Sequence, residues 1–175
     1  RHPAWNFTDV IAADINGDGK LDIITSNGDD ERMSRQAEPE VPYHGIRIHL
    51  ATADGGFTES FFHHLNRARR VAARDFDGDG DIDLVGIGYS THHRHATRNG
   101  AVYLENQGNM HFKAFALPHA GDGRWYDMDI GDVDQDGDPD IVLAALHPGA
   151  GKAPEALLTK WSDSPMTCLI LINQV

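Results

Sequence analysis

Asp75-Phe76-Asp77-Gly78-Asp79-Gly80-Asp81-Ile82-Asp83 runs directly into the apolar stretch Leu84-Val85-Gly86-Ile87. The same nine-residue pattern stands at Asp14-Ile15-Asn16-Gly17-Asp18-Gly19-Lys20-Leu21-Asp22, ahead of Ile23-Ile24-Thr25. A third copy is Asp132-Val133-Asp134-Gln135-Asp136-Gly137-Asp138-Pro139-Asp140, ahead of Ile141-Val142-Leu143-Ala144. The copies begin 61 and 57 residues apart. A period of this length marks a repeat architecture, whose units bury their faces against their neighbours.

Each acidic loop also has an apolar run before it: Phe7–Ala12, Arg70–Ala73 and Trp125–Ile130. Further runs follow in each unit at Ile46–Leu50, Ala101–Leu104 and Cys168–Ile172. All are short, rich in β-branched residues and bounded by Gly and Asp, which predicts strands rather than helices. Fourth strands are expected at Phe57–His63 and His111–Leu117, after turns at Asp54-Gly55-Gly56 and Gln107-Gly108-Asn109. The expected fold is all-β: about three four-stranded antiparallel β-propeller blades, forming a segment of a propeller of about six to eight blades. The blades are assigned to residues 1–67, 68–117 and 118–175, the last incomplete and carrying a long insertion at 147–167. Leu171-Ile172-Asn173-Gln174 parallels Leu104-Glu105-Asn106-Gln107, so a turn and a fourth strand are expected beyond it. The first residue is Arg1 rather than Met, which suggests a processed or truncated start.

The formal net charge is −12, and 13 of the 27 acidic side chains lie in the three loops. Three divalent cations would halve that charge, and carboxylates packed this closely are costly without one. No basic stripe exists to meet phosphates, which argues against a nucleic-acid partner. No apolar run approaches the ~18 residues needed to span a membrane as a helix. The single cysteine, Cys168, has no internal disulfide partner, and its apolar setting predicts a buried, inert thiol.

Oxygen donors recur at positions 1, 3, 5 and 9 of the loops, and Gly19, Gly80 and Gly137 permit the turn at position 6. The backbone carbonyl of position 7 completes the set. The candidate ligands are Asp14, Asn16, Asp18, Lys20 and Asp22, then Asp75, Asp77, Asp79, Asp81 and Asp83, then Asp132, Asp134, Asp136, Asp138 and Asp140. An all-oxygen set suits Ca²⁺ at three sites. Mg²⁺ fits less well because it keeps its waters, and Zn²⁺ calls for Cys or His. An EF-hand needs Glu at position 12, where this chain has Thr25, Gly86 and Leu143, and it needs helical flanks.

With their strand flanks, these loops resemble FG-GAP/VCBS repeats, the blades of integrin-α-like propellers. Literal Phe-Gly and Gly-Ala-Pro tokens do not stand at matched places, so the chain is nearer the broader VCBS-like group than a true integrin. The resemblance implies cation ligation at the fifteen loop positions. It also implies an extracellular, periplasmic or cell-surface setting and a protein or glycan ligand. The fold hosts adhesion, sugar binding and occasional lyase chemistry, so it does not itself choose among them.

A blade places its cation loop on one face of the disc and its long connections on the other. Those connections span residues 26–45, 90–100 and 147–167 and are the expected ligand face. His92, His93, His95, His147 and Trp161 are its candidate residues. Asp127 and Asp129 interrupt an apolar first strand and either face a solvated channel or hold a further cation. The leading expectation is a non-catalytic, Ca²⁺-stabilised propeller segment mediating protein or glycan interaction. One alternative is a polysaccharide-lyase-like enzyme on the same scaffold; another is a structural subunit of a larger surface assembly. No catalytic motif emerges from the spacing of Ser, His or carboxylates.

Overall fold

The computed structural model describes residues 6–28, 42–89, 100–146, 155–163 and 166–175. It contains β1 (Phe7–Ala13), β2 (Asp22–Asn27), β3 (Gly45–Ala51) and β4 (Phe57–His64) in one sheet. A second sheet holds β5 (Ala68–Arg74), β6 (Asp83–Gly88), β7 (Ala101–Asn106) and β8 (Phe112–Ala116). The third holds β9 (Trp125–Gly131), β10 (Asp140–Ala145) and β11 (Cys168–Leu171). Every pairing is antiparallel between neighbours in sequence. The strands fall where the short apolar runs predict them, in three propeller-like blades that do not close into a ring.

A helix, α1 (Glu155–Asp163), lies between β10 and β11, inside what the sequence suggests is an irregular insertion. Its Glu-Ala-Leu-Leu start favours helix locally, with the acidic Glu155 in the first turn where it complements the helix dipole.

The second sheet is buried on both faces because it lies between the other two. Strand β5 packs on β1 and β2, and β9 packs on β5 and β6. Ile24, Ile46 and Ile48 of the first sheet meet Val71, Leu84 and Leu104 of the second in one continuous core. Val85, Ile87 and Phe76 of the second meet Trp125, Met128 and Leu143 of the third in another. Trp125 is fully buried there and donates its indole N–H to the Ala120 carbonyl at 2.9 Å. Burial of this kind contributes about 1.5–3 kcal/mol per large aliphatic side chain. Close approach of the first two sheets requires glycine twice. A Cβ on Gly28 would strike the Arg67–Ala68 backbone, and one on Gly86 would strike Ile46 Cδ1.

Cys168 is exposed, contrary to the buried thiol expected from its apolar run. Its register explains why. Cys168 pairs with Ala144, four residues past Asp140, as Ile46 and Ala101 pair four residues past Asp22 and Asp83. Ile46 and Ala101 are fully buried because another sheet lies over them. No described element lies over that face of the third sheet. An apolar run therefore marks a sheet face, but its burial depends on a neighbour.

Candidate metal centre

The three acidic loops join β1 to β2, β5 to β6 and β9 to β10, so they emerge at the same end of all three sheets. Positions 4 and 6 of each loop take positive φ: Gly17 and Gly19, Gly78 and Gly80, Gln135 and Gly137. Glycine meets this requirement without steric cost, whereas Gln135 adopts it at φ 67°. The two left-handed residues turn the backbone N–H groups inward, onto the carboxylate at position 1. Asp14 accepts from Asp18 and Gly19 at 3.0 and 2.8 Å. Asp75 accepts from Gly78 and Gly80 at 2.8 and 3.0 Å, and Asp132 from Asp136 and Gly137 at 3.1 and 3.2 Å.

Positions 3 and 5 orient the next residues in the same manner. Asn16 and Asp77 accept the N–H of Asp18 and Asp79 at 3.1 and 3.2 Å. Asp18, Asp79 and Asp136 accept from the position-7 residues Lys20, Asp81 and Asp138 at 2.9, 2.8 and 3.0 Å. The side chains at positions 3 and 5 thus have one oxygen engaged with the backbone and further lone pairs available.

Position 9 has a second role that donor counting misses. Asp22, Asp83 and Asp140 are fully buried. In each, one oxygen accepts the N–H of loop position 2: Ile15 at 3.1 Å, Phe76 at 3.1 Å and Val133 at 2.7 Å. The other accepts an N–H at or just past the end of the third strand: Ala51 at 2.8 Å, Asn106 at 2.7 Å and Asn173 at 2.8 Å. The carboxylate therefore clamps the loop to the opposite side of its own sheet. Recurrence of Asp at the ninth position is the sequence signal, but the strand-end partner is visible only in the fold.

Two of the loops gather three carboxylates closely enough to share one ion. In Asp75, Asp77 and Asp83, one oxygen from each lies within 4.8 Å of the others, and so it does in Asp132, Asp134 and Asp136. Burial and the charges of Asp83, Asp79 and Asp75 hold the Asp77 carboxyl above its ordinary range. Desolvation and the adjacent Asp136 charge do the same to Asp134. Burial raises Asp83 against the pull of its hydrogen bonds. These shifts express first the desolvation and then the mutual repulsion of the carboxylates, which a divalent ion would relieve, and an all-oxygen donor set matches a hard cation.

Residues 75–143 match the FG-GAP-like repeat family. Over this segment the chain is similar to FG-GAP-like repeats. It runs from the second acidic loop through the third and into β10, so the matched FG-GAP-like segment includes both carboxylate triads. No curated protein matches the chain. The first loop lies outside the matched FG-GAP-like residues yet repeats the hydrogen bonds at positions 1, 3, 5 and 9. It differs in charge. Asn16 replaces an aspartate, and the Lys20 ammonium pairs with Asp18 at 2.9 Å, which holds the Asp18 carboxyl below its ordinary range.

The opposite face is only partly described. His92, His93, His95 and His147 lie outside the described residues, and Trp161 lies on α1 with its side chain outside them. Asp127 pairs with Arg70 at 3.0 Å, and Arg70 also approaches Asp9 at 3.6 Å. Among the described residues, the prominent side chains at that end are Arg67, Arg69, Arg124, Tyr89 and Tyr126, none of which belongs to a recurring motif of the sequence. Arg67-Ala68-Arg69-Arg70 signals only the first two of these, and it is too short to stand out in an acidic chain.

Proposed function

We propose that the chain is a Ca²⁺-stapled, non-catalytic propeller segment that presents a protein- or glycan-binding face opposite its cation loops. The setting is extracellular, periplasmic or cell-surface, where free Ca²⁺ is high enough to fill such sites. The observation that carries the reading is the pair of three-carboxylate clusters on FG-GAP-like loops, each built against a buried clamp aspartate. Asp75, Asp77, Asp79 and Asp83 would hold one ion, and Asp132, Asp134, Asp136 and Asp140 another. The ion would neutralise carboxylates that otherwise repel. The first loop, with Lys20 already on Asp18, is the weakest of three sites.

A thermal melt in EDTA and in millimolar Ca²⁺ tests the staple. At free Ca²⁺ about 100-fold above Kd, each filled site adds roughly 2.7 kcal/mol. A large rise in Tm with Ca²⁺ is expected, and equal Tm in both conditions would sink the reading.

The role as a subunit of a larger β assembly has its own support. Val133, Ile170 and Ile172 are 44, 47 and 41% exposed on the same face as Cys168. Val133 and Ile170 stand at the places of Ile15 and Ile48, which are 3 and 0% exposed beneath the second sheet. Further blades would cover this face. Size measurement of the chain alone and with its natural neighbours tests it; a lone monomer with no tendency to associate would count against it.

A further inference from the structure

Strand β3 pairs with β4 and β7 pairs with β8, whereas among the described residues β11 pairs with β10 alone. In β7 the backbone groups that bond outward are those in step with Ala101, whose carbonyl accepts the Leu117 N–H at 3.2 Å. Cys168 and Ile170 hold the places of Ala101 and Tyr103: they pair four and two residues past Asp140, as those do past Asp83. Their backbone N–H and C=O groups therefore face an open edge, without a partner among the described residues. Such an edge is a template for another strand.

A groove of about 640 Å³ follows β11, lined by Phe76, Tyr103, Leu117, Leu169, Leu171 and Asn173 among others. Leu169 and Leu171 turn toward the second sheet, and Ile170 alternates to the opposite side. The joint between the first two sheets shows what fills the equivalent place. There Phe112 of β8 packs on Phe61 of β4, with ring centroids 4.6 Å apart. Phe112 stands opposite Asn106, and Phe61 stands opposite Ile48. One sheet further on, Asn173 matches Asn106, since each gives its backbone N–H to a clamp aspartate. Phe115 matches Phe61, because its partner Tyr103 pairs two residues past Asp83 as Ile48 pairs two past Asp22. Phe115 is 38% exposed, its ring met by Tyr103 at 6.1 Å and the Lys113 ammonium at 4.6 Å. Half of a repeated aromatic pair is thus in place, and among the described residues no ring stands opposite Asn173 to complete it.

We propose that the β11 edge and this groove dock an extended strand of a protein partner. The strand adds antiparallel, as β4 and β8 do in their sheets, and sets an aromatic side chain opposite Asn173, against Phe115. Backbone pairing supplies affinity, and the alternate side chains that enter the groove supply selectivity. A compact apolar ligand would fill the groove but leave the edge N–H and C=O groups unpaired. The site lies apart from the face opposite the cation loops and does not rest on the ligand-face reading.

A synthetic peptide of residues 109–117, the segment that fills the equivalent place in the second sheet, is the probe, titrated into the full chain in Ca²⁺. Saturable binding is expected, with amide exchange slowed at Cys168 and Ile170. In the peptide, Phe112→Ser removes the aromatic ring and Lys113→Pro removes an edge-facing N–H; each is expected to weaken binding about tenfold or more. In the protein, Phe115→Ser is expected to do the same. Ile170→Pro removes an edge N–H without touching the β10 pairing and is expected to abolish binding. Circular dichroism checks that each protein variant folds, and the peptide variants test the site on the unaltered chain. No binding of the peptide, or equal binding of a scrambled one, would overturn the strand site, as would slowed exchange on β7 instead of β11. Dimerisation of the chain alone, with slowed exchange at the same amides, would give the edge to a second copy and overturn the partner strand.

Discussion

Asn173 donates its side-chain N–H to the carbonyl of Phe76, 97 residues earlier, at 2.6 Å. Phe76 is position 2 of the second acidic loop, and its own N–H goes to the clamp aspartate Asp83. Asn106 repeats the arrangement one sheet earlier. It reaches the Ile15 carbonyl of the first loop at 3.5 Å and the Ile82 carbonyl at 3.1 Å. The first and second loops are thereby tied to the next sheet by a residue whose own backbone N–H goes to that sheet's clamp aspartate. The first sheet has Ala51 at the matching place.

Removing the tie loosens the joint between sheets. Asn173→Ala and Asn106→Ala are each expected to cost about 1–2 kcal/mol, since a buried or half-buried carbonyl loses its partner. Urea denaturation measures this. The loss is expected with and without Ca²⁺; midpoints unchanged from the parent chain would show that the latch carries no stability.

Asp83, at once clamp and candidate ligand, separates from Asp77, a candidate ligand alone, by what each does without metal. Asp83→Ala removes an acceptor for the N–H groups of Phe76 and Asn106 and for the Tyr103 hydroxyl. It is expected to cost about 3 kcal/mol or more in EDTA as well as in Ca²⁺. Asp77→Asn removes a repelling charge, so it raises the EDTA midpoint while reducing the gain on adding Ca²⁺. If both variants behaved alike in EDTA, the division of roles would be wrong.

Lys20 sets the first loop apart. Lys20→Asp recreates the composition seen at Asp81 and Asp138 and frees Asp18 from its ion pair. The expected result is a lower Tm in EDTA, a larger Ca²⁺-induced rise and tighter calcium binding at one site by calorimetry. An unchanged calcium titration would show that Lys20 does not compete with the ion.

The pH dependence should change direction with calcium. Raised carboxyls at Asp77, Asp83 and Asp134 mean that the metal-free folded chain binds protons more readily than the unfolded one. Its stability therefore rises as pH falls from neutrality toward those raised values. Asp18, Asp54 and Asp140 are shifted below the ordinary 3.8 by hydrogen bonds, so the stability they contribute holds above 3.8 and is lost as pH falls through their folded values. In Ca²⁺ the ligand carboxyls must be ionised, and acid then only destabilises. Melting curves between pH 4 and 8 with and without EDTA check this; parallel profiles would contradict it.

The strand pattern, the three loops and their antiparallel sheets were legible in the residues, because each depends on chemistry within a few positions. Alternating β-branched residues favour strands, and glycine at position 6 supplies a backbone conformation that other residues resist. The carboxylates at positions 1, 3 and 5 converge through hydrogen bonds that span at most five residues. Cys168, Asn173 and the Arg69–Tyr126 contact lie beyond that range. Whether Cys168 is covered depends on a neighbouring sheet, and the Asn173–Phe76 bond depends on how two sheets stack. Arg69 meets Tyr126, 57 residues away, because β5 and β9 pack side by side. Contacts set by face-to-face packing leave no fixed spacing in the chain, so the folded stack alone brings Arg69 to Tyr126 and Asn173 to Phe76.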